Sequence, residues 1–299
     1  MASRLPGVVV VAGILAASGA SATGPVAVKT SPRNEETPAA AGPYFSWAKS
    51  RSGRPRVYDV FVEQQGQRPF RVNAPNTWGY GGGIEGTRLV YQQVRGLNAD
   101  IAFLDLASRR RSDAPPGVNT RRWEWRPVFS GDWLMYARGE PYSASLQTVL
   151  LRNMVTGEER TLDSLRMKNT ILLPGDVSGN FAVWMKCVRS PRSCNVFRYD
   201  ITARKRTRIP NHGYFLYGPS VTSTGTMYFG RSRRGCGSSV KLVKATLDGK
   251  EQVVYSFSRR HDFLLTSVVE LSPGVARIYF DRLTCRTRRT DIYRIDDSG

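Results

Sequence analysis

Acidic residues are scarce in this chain: 24 Asp and Glu stand against 44 Lys and Arg in 299 residues, a formal net charge of +20. Histidine is nearly absent, with only His212 and His261, and lysine provides 8 of the cations against 36 from arginine. The four cysteines are spaced C-x6-C and C-x48-C. Zinc sites draw on C-x-x-C pairs or sets of histidines, so no metal and no cofactor is expected. Beyond the N-terminus no stretch is apolar over the roughly 20 residues that a membrane-crossing helix needs. A run of helical period is missing as well, which removes helical bundles and alternating α/β folds and leaves an all-β body.

The first residues have a different character. Arg4 precedes an apolar run from Leu5 to Ala17, and Ala20-Ser21-Ala22 supplies an A-x-A cleavage signal. This is the pattern of a secretory signal peptide, cleaved after Ala22, and it implies a secreted or extracytoplasmic protein. The apolar run is interrupted by Pro6 and Gly13 and is too short for a membrane anchor. The first cysteine is Cys187, far from the cleavage site, so a lipid-modified N-terminus is not expected. Residues 23–41 form a Pro- and Ala-rich lead-in in which Val26 to Thr30 is a possible strand.

From residue 42 onward one pattern recurs six times. A glycine opens a strand that ends in an aromatic: GPYFSW from 42, GTRLVY from 86, GDWLMY from 131, GNFAVW from 179, GTMYF from 225 and GVARIY from 274. The glycines are 44, 45, 48, 46 and 49 residues apart. Each unit continues through a polar turn into a second strand such as DIAFLDL (100–106) or NVFRYDI (195–201). Shorter segments before the glycine and after that second strand bring the count to four strands. Four strands repeating every 40 to 50 residues make propeller blades. The expected fold is a six-bladed β-propeller with blades near 37–73, 81–115, 124–163, 172–210, 216–257 and 264–299. The sixth unit reaches Gly299 with no outer strand, and the lead-in strand is expected to fill that edge and close the ring.

The segments RPVFSGDWLMY, PGDVSGNFAVW and DIYRID resemble the TolB-like six-bladed propellers, which include WD40-like repeat proteins exported by bacteria. The resemblance extends over nearly all of the chain after the lead-in. It implies a non-enzymatic binding or scaffold protein, because such family members are generally binding platforms. The turns depart from the family's usual S-P-D-G sequence, and a propeller scaffold does not by itself specify a function.

An even number of cysteines in an exported chain points to disulfides. With the blades aligned, Cys187 and Cys194 flank one turn of blade 4, whereas Cys236 and Cys285 occupy the same turn of blades 5 and 6. The preferred pairings among three possible connectivities are therefore 187–194 and 236–285.

The positive charge is concentrated. The turns between second and third strands, at 48–56, 92–99, 137–147, 185–194, 230–238 and 281–290, hold 14 Arg and 2 Lys against Glu140 and Asp281 alone. In an up-and-down blade these turns share a face with the connections between blades, which carry aromatics. The candidate ligand-binding residues are Arg51, Arg54, Arg56, Arg189, Arg192, Arg231, Arg233, Arg234, Arg282, Arg286, Arg288 and Arg289, with Trp78, Tyr80, Trp123 and Trp125. Guanidinium groups grip carboxylate, sulfate or phosphate in bidentate fashion, and a dense positive field steers anions. The expected partner of this monomer is an anionic polymer or acidic protein of the cell envelope. Nucleic acid suits the charge but not the compartment.

Two other readings stand beside this one. One is a protein docking platform of TolB type; the other is a channel-centred hydrolase or lyase acting on a glycan. The chain has no G-x-S-x-G elbow and no S-x-D-x-G-x-T-W box, and Gly81 to Gly83 follow no strand-to-helix pattern that would make a phosphate loop. Asp176, Glu85 and Glu270 lie on or beside inner strands, where a pair of catalytic carboxylates would be placed. No catalytic residue is assigned.

Overall fold

A computed structural model describes residues 24–140, 145–166, 168–188 and 193–298. The signal segment and the candidate residues Arg189 and Arg192 lie outside the described residues. Among the described residues every element is a β-strand, and the strands form six four-stranded antiparallel sheets. Five of them are consecutive in sequence, with inner strands Glu35–Ala41, Trp78–Glu85, Glu124–Ser130, Ile171–Ser178 and Phe215–Val221. The sixth consists of His261–Ser272, Val275–Thr284 and Arg289–Asp297, completed at its outer edge by Val26–Lys29. That last pairing sets Val26 opposite Arg294 and Ala27 opposite Tyr293. The fold is an all-β six-bladed propeller, closed by its N-terminal strand.

Sequence and local geometry meet at the repeated glycine. Gly42, Gly86, Gly131, Gly179, Gly225 and Gly274 all have φ between 51° and 84°. They turn the inner strand into the second strand in a conformation that a Cβ disfavours. The second strands are buried on both sides, because each blade is packed between two others. Leu134, Met135, Tyr136 and Ala137 are consecutive and all fully buried. The core is accordingly distributed between blades, with Met135, Val149 and Leu151 of blade 3 packing on Leu172, Trp184 and Phe197 of blade 4.

The inner strands converge on the axis, and each is broken by a register shift near its middle: after Glu36, Gly81, Trp125, Pro174, Tyr217 and Phe263. Such bulges re-aim side chains and sharpen strand twist. Glycine is required where two bulges press together, since a Cβ on Gly175 would stand 2.3 Å from the Pro219 carbonyl oxygen.

Cys187 is bonded to Cys194 across one hairpin, and Cys236 to Cys285 between blades 5 and 6. The second bridge spans 49 residues and the first only 7. On the chain-entropy model, replacing Cys236 and Cys285 by alanine should lower unfolding free energy by about 4 kcal/mol, and replacing the other pair by about 2.5 kcal/mol. Urea titration of the two double variants measures the difference. Equal losses would show that loop length does not govern these bridges.

Candidate functional site: a cup at the channel mouth

The start of each inner strand faces the axis on the side of the second-to-third-strand turns, and together these segments enclose a cavity of about 610 Å³. Alternation along a strand places residues i and i+2 on one side. Four blades use such pairs, Trp78 and Tyr80, Trp123 and Trp125, Ile171 and Leu173, and Phe215 and Tyr217, while blade 6 lines the cavity with the consecutive residues Asp262 to Leu265. Blade 1 contributes Glu36, and the second strand of blade 6 contributes Asp281. The wall is thus divided. Blades 2, 3 and 5 present aromatics, blade 4 presents aliphatics, and the adjoining blades 6 and 1 present acids.

Three arginines complete the wall: Arg126, Arg234 and Arg288. Arg234 and Arg288 are exposed on turns of blades 5 and 6. Arg126 belongs to the bulge of the third inner strand and has a φ of 52°. Its positive φ is unusual for a side chain of that size and costs of order 1 kcal/mol or more. Its guanidinium lies 5.3 Å from the centre of the Tyr80 ring.

The acids sit deeper. Asp281 is fully buried, and its Oδ1 accepts hydrogen bonds from the Leu265 and Leu264 amides at 2.7 and 3.3 Å. Its Oδ2 is buried without a hydrogen-bond partner. Burial, reinforced by the nearby Glu36 carboxylate, pushes the Asp281 carboxyl up to about 7, and Arg126 only partly offsets this. Glu36 Oε1 accepts from the Tyr58 hydroxyl at 2.9 Å. Asp262 Oδ1 accepts from the Tyr217 hydroxyl at 2.7 Å and from the Phe263 amide at 2.9 Å, and burial again raises its pKa.

Of the candidates expected from sequence, Trp78, Tyr80, Trp123, Trp125, Arg234 and Arg288 meet in this cup. Others are tied into their own blades. Arg51 grips Asp59 through two hydrogen bonds of 3.0 and 2.6 Å, Arg231 pairs with Glu251, and Arg289 lies 3.3 Å from Asp291. Arg282 stacks 3.6 Å from the Tyr293 ring centre and Arg233 lies 5.3 Å from that of Tyr214. Arg54, Arg56, Arg233 and Arg286 are exposed and outside the cup lining. Sequence reasoning did not single out Arg126, Glu36 or Asp281 as site residues. Aligning the blades on their inner-strand starts, where Glu36, Trp125 and Tyr217 are equivalent, is the signal that would have found Glu36.

The carboxylates considered for catalysis are engaged as braces between blades. Glu85 accepts from the Ser130 hydroxyl and the Gly131 amide, Asp176 from the Val221 amide, and Glu270 from the Ser223 amide. Burial pushes Asp176 up to about 7. His261 Nδ1 lies 2.9 Å from Ser258 Oγ, while the neighbouring Asp262 is directed to Tyr217. Burial and then the charges of Arg282 and Arg260 lower the pKa of His261.

The fold and this cavity define a β-propeller with a ligand-sized cup at one mouth of its channel. More specifically, the architecture is that of a six-bladed propeller of four-stranded blades closed by its N-terminal strand, a fold shared with solved proteins of several kinds. No protein-family model and no curated protein matches the sequence. Among solved structures, a protein described as TolB from Agrobacterium tumefaciens superposes with a TM-score of 0.56 at 13% identity, covering 89% of this chain and 91% of that one. An oligogalacturonate lyase from Vibrio parahaemolyticus gives 0.54 at 9% identity over 87% and 78%. A puromycin-hydrolysing peptidase from Mycobacterium tuberculosis gives 0.52 at 10% identity, and there the match takes in 91% of this chain but only 56% of the peptidase. These likenesses are of fold.

Proposed function

We propose that the chain is an exported binding module that captures an anionic polymer of the cell envelope on its arginine-rich face, with the cup as the point of engagement. The observation that carries this reading is the convergence of Arg126, Arg234 and Arg288 with Trp78, Tyr80, Trp123 and Trp125 around one cavity. Aromatic faces stack on sugar rings or other planar groups, and guanidinium groups bind the acidic substituents. Exposed Arg54, Arg56, Arg233 and Arg286 extend the positive field beyond the rim. The signal pattern ending at Ala22 and the two disulfides support an extracytoplasmic location. A non-enzymatic role is supported by the engagement of Glu85, Asp176 and Glu270 in blade-to-blade bonds.

The test is binding to a panel of acidic polysaccharides at about 50 and 200 mM salt. Wild-type binding should weaken roughly tenfold or more over that range, as expected when several guanidinium contacts release counterions. A variant with Arg233, Arg234, Arg286 and Arg288 changed to Gln should lose it. Equal, salt-insensitive binding by both proteins would sink the reading and favour a protein docking platform.

A further inference from the structure

Resting on the reading that the rim binds anions, we propose that the cup takes a ligand that is both acidic and amine-bearing: its primary ammonium docks on the carboxylates of blades 6 and 1, and its acidic group meets Arg234 and Arg288. Arg234 and Arg288 are exposed at the rim, Arg126 and Glu36 are half-buried, and Asp281 and Asp262 are 0% and 8% exposed. A purely anionic ligand would leave this acidic floor unused and would be repelled by it.

Asp281 indicates which group belongs there. One of its oxygens is occupied by backbone amides, while Oδ2 is buried with no donor on a residue that belongs to the cavity wall. A buried acceptor is normally satisfied, and the group that satisfies this one must bring an N–H or O–H into the cup. Glu36 and Asp262 already accept hydrogen bonds from Tyr58 and Tyr217, yet neither is ion-paired within its blade in the way that Asp59 or Asp291 is. A hydroxyl would satisfy Oδ2 but would leave the adjoining carboxylates balanced only in part by Arg126 and Arg288, whereas an ammonium supplies both the donor and the charge. A quaternary ammonium has no N–H to give. The aromatic wall of Trp78, Tyr80, Trp125 and Tyr217 suits the face of a ring carrying the amine and would favour the cation as well.

The protonation state of the floor supplies a second signature. Asp281 faces Glu36 from blade 1, Arg126 from blade 3 and the amides of Leu264 and Leu265, while Asp262 faces Tyr217 and, farther off, Arg288. With its pKa near 7, the empty site retains a proton on Asp281 below neutrality. Ammonium binding must displace that proton, so affinity for the amine should rise with pH up to about 7 and binding at pH 6 should release a proton to buffer.

The probe is glucosamine 6-phosphate, compared by calorimetry with glucose 6-phosphate, N-acetylglucosamine 6-phosphate and unphosphorylated glucosamine. Glucosamine 6-phosphate should bind at least about tenfold more tightly than each of the others, a coupling of the size expected for one charge-assisted contact. Asp281→Asn and, separately, Glu36→Gln should abolish the preference for the amine by weakening glucosamine 6-phosphate, while glucose 6-phosphate should bind no more weakly than to the wild type. The Arg234→Gln/Arg288→Gln variant should weaken all three phosphates alike. Equal affinity for glucosamine 6-phosphate and glucose 6-phosphate would overturn the ammonium site and leave the arginine rim standing. Glucosamine binding as tightly as its phosphate would instead overturn the anionic rim. Failure of all four sugars to bind would overturn this ligand class, while the polysaccharide titration judges the wider reading separately.

Discussion

Burial of Asp281 should add about 3 kcal/mol to the unfolding free energy when the pH is lowered from 8 to 5, and Asp281→Asn should remove that contribution. Folded, the Asp281 carboxyl holds its proton up to about pH 7; unfolded, an aspartate releases it near pH 4. Between those values the folded state binds more protons than the unfolded one. Stability therefore falls as pH rises through this window and levels off above it. The sign is opposite to that of an ion-paired aspartate such as Asp59, whose pKa is lowered through its bonds to Arg51 and Asn73 despite the burial that opposes this. Asp281→Asn keeps the size and the carbonyl acceptor for the Leu265 amide but has no charge to bury. The variant should be more stable than wild type at pH 8 and nearly equal to it at pH 5. Urea titrations at both pH values provide the comparison, and parallel pH profiles for the two proteins would refute the burial argument. Asp176 pushes in the same direction, so a smaller slope should persist in the variant.

Removal of residues 24–31 should lower the melting temperature by about 10 °C. The strand Val26–Lys29 pairs with Arg289–Asp297, and Lys29 bridges to Glu63 while its ammonium lies 4.6 Å from the Trp47 ring centre. Three or four hydrogen bonds at about 1 kcal/mol each, in a chain of this size, correspond to a shift of that order. The strand also joins the two ends of the propeller, so its loss leaves blades 6 and 1 held only by direct contacts such as that of Phe45 with Tyr279. The bared edge at Ile292 to Arg294 would present unpaired backbone groups, and light scattering should detect self-association of the truncated protein. An unchanged melting temperature would mean that the ring holds without this strand.

The architecture could be read from the sequence because its signals are local. A glycine at a tight turn, period-two alternation and an aromatic at the strand end recur within each unit, so six weak signals reinforce one another. The closing strand was legible by counting, since one edge lacked a partner. The cup was only half legible. Trp78, Tyr80, Trp123 and Trp125 announce themselves by residue type and position, but Glu36 and Asp281 come together from opposite ends of the chain, through ring closure. Asp281 was visible in sequence only as a counter-charge among arginines. The pairing of Arg51 with Asp59 and of Arg231 with Glu251 depends on strand register, which a count of charges in turns does not contain. The positive φ at Arg126 could not be read at all, because the residues around it, Trp125 and Pro127, specify a strand as readily as a bulge.

The six inner-strand bulges divide the channel. Residues before each bulge line the cup, and residues after it, among them Ala39, Gly83, Phe129, Val177, Val221 and Val268, line a separate space of about 160 Å³ toward the other face. An extra residue resets the alternation of a strand, so the orientation of a side chain above the bulge is not inherited by those below it. The upper and lower halves of the bore are therefore free to diverge independently. New ligand preferences can arise by substitution at the mouth while the contacts that wedge the blades together below it keep their sequence.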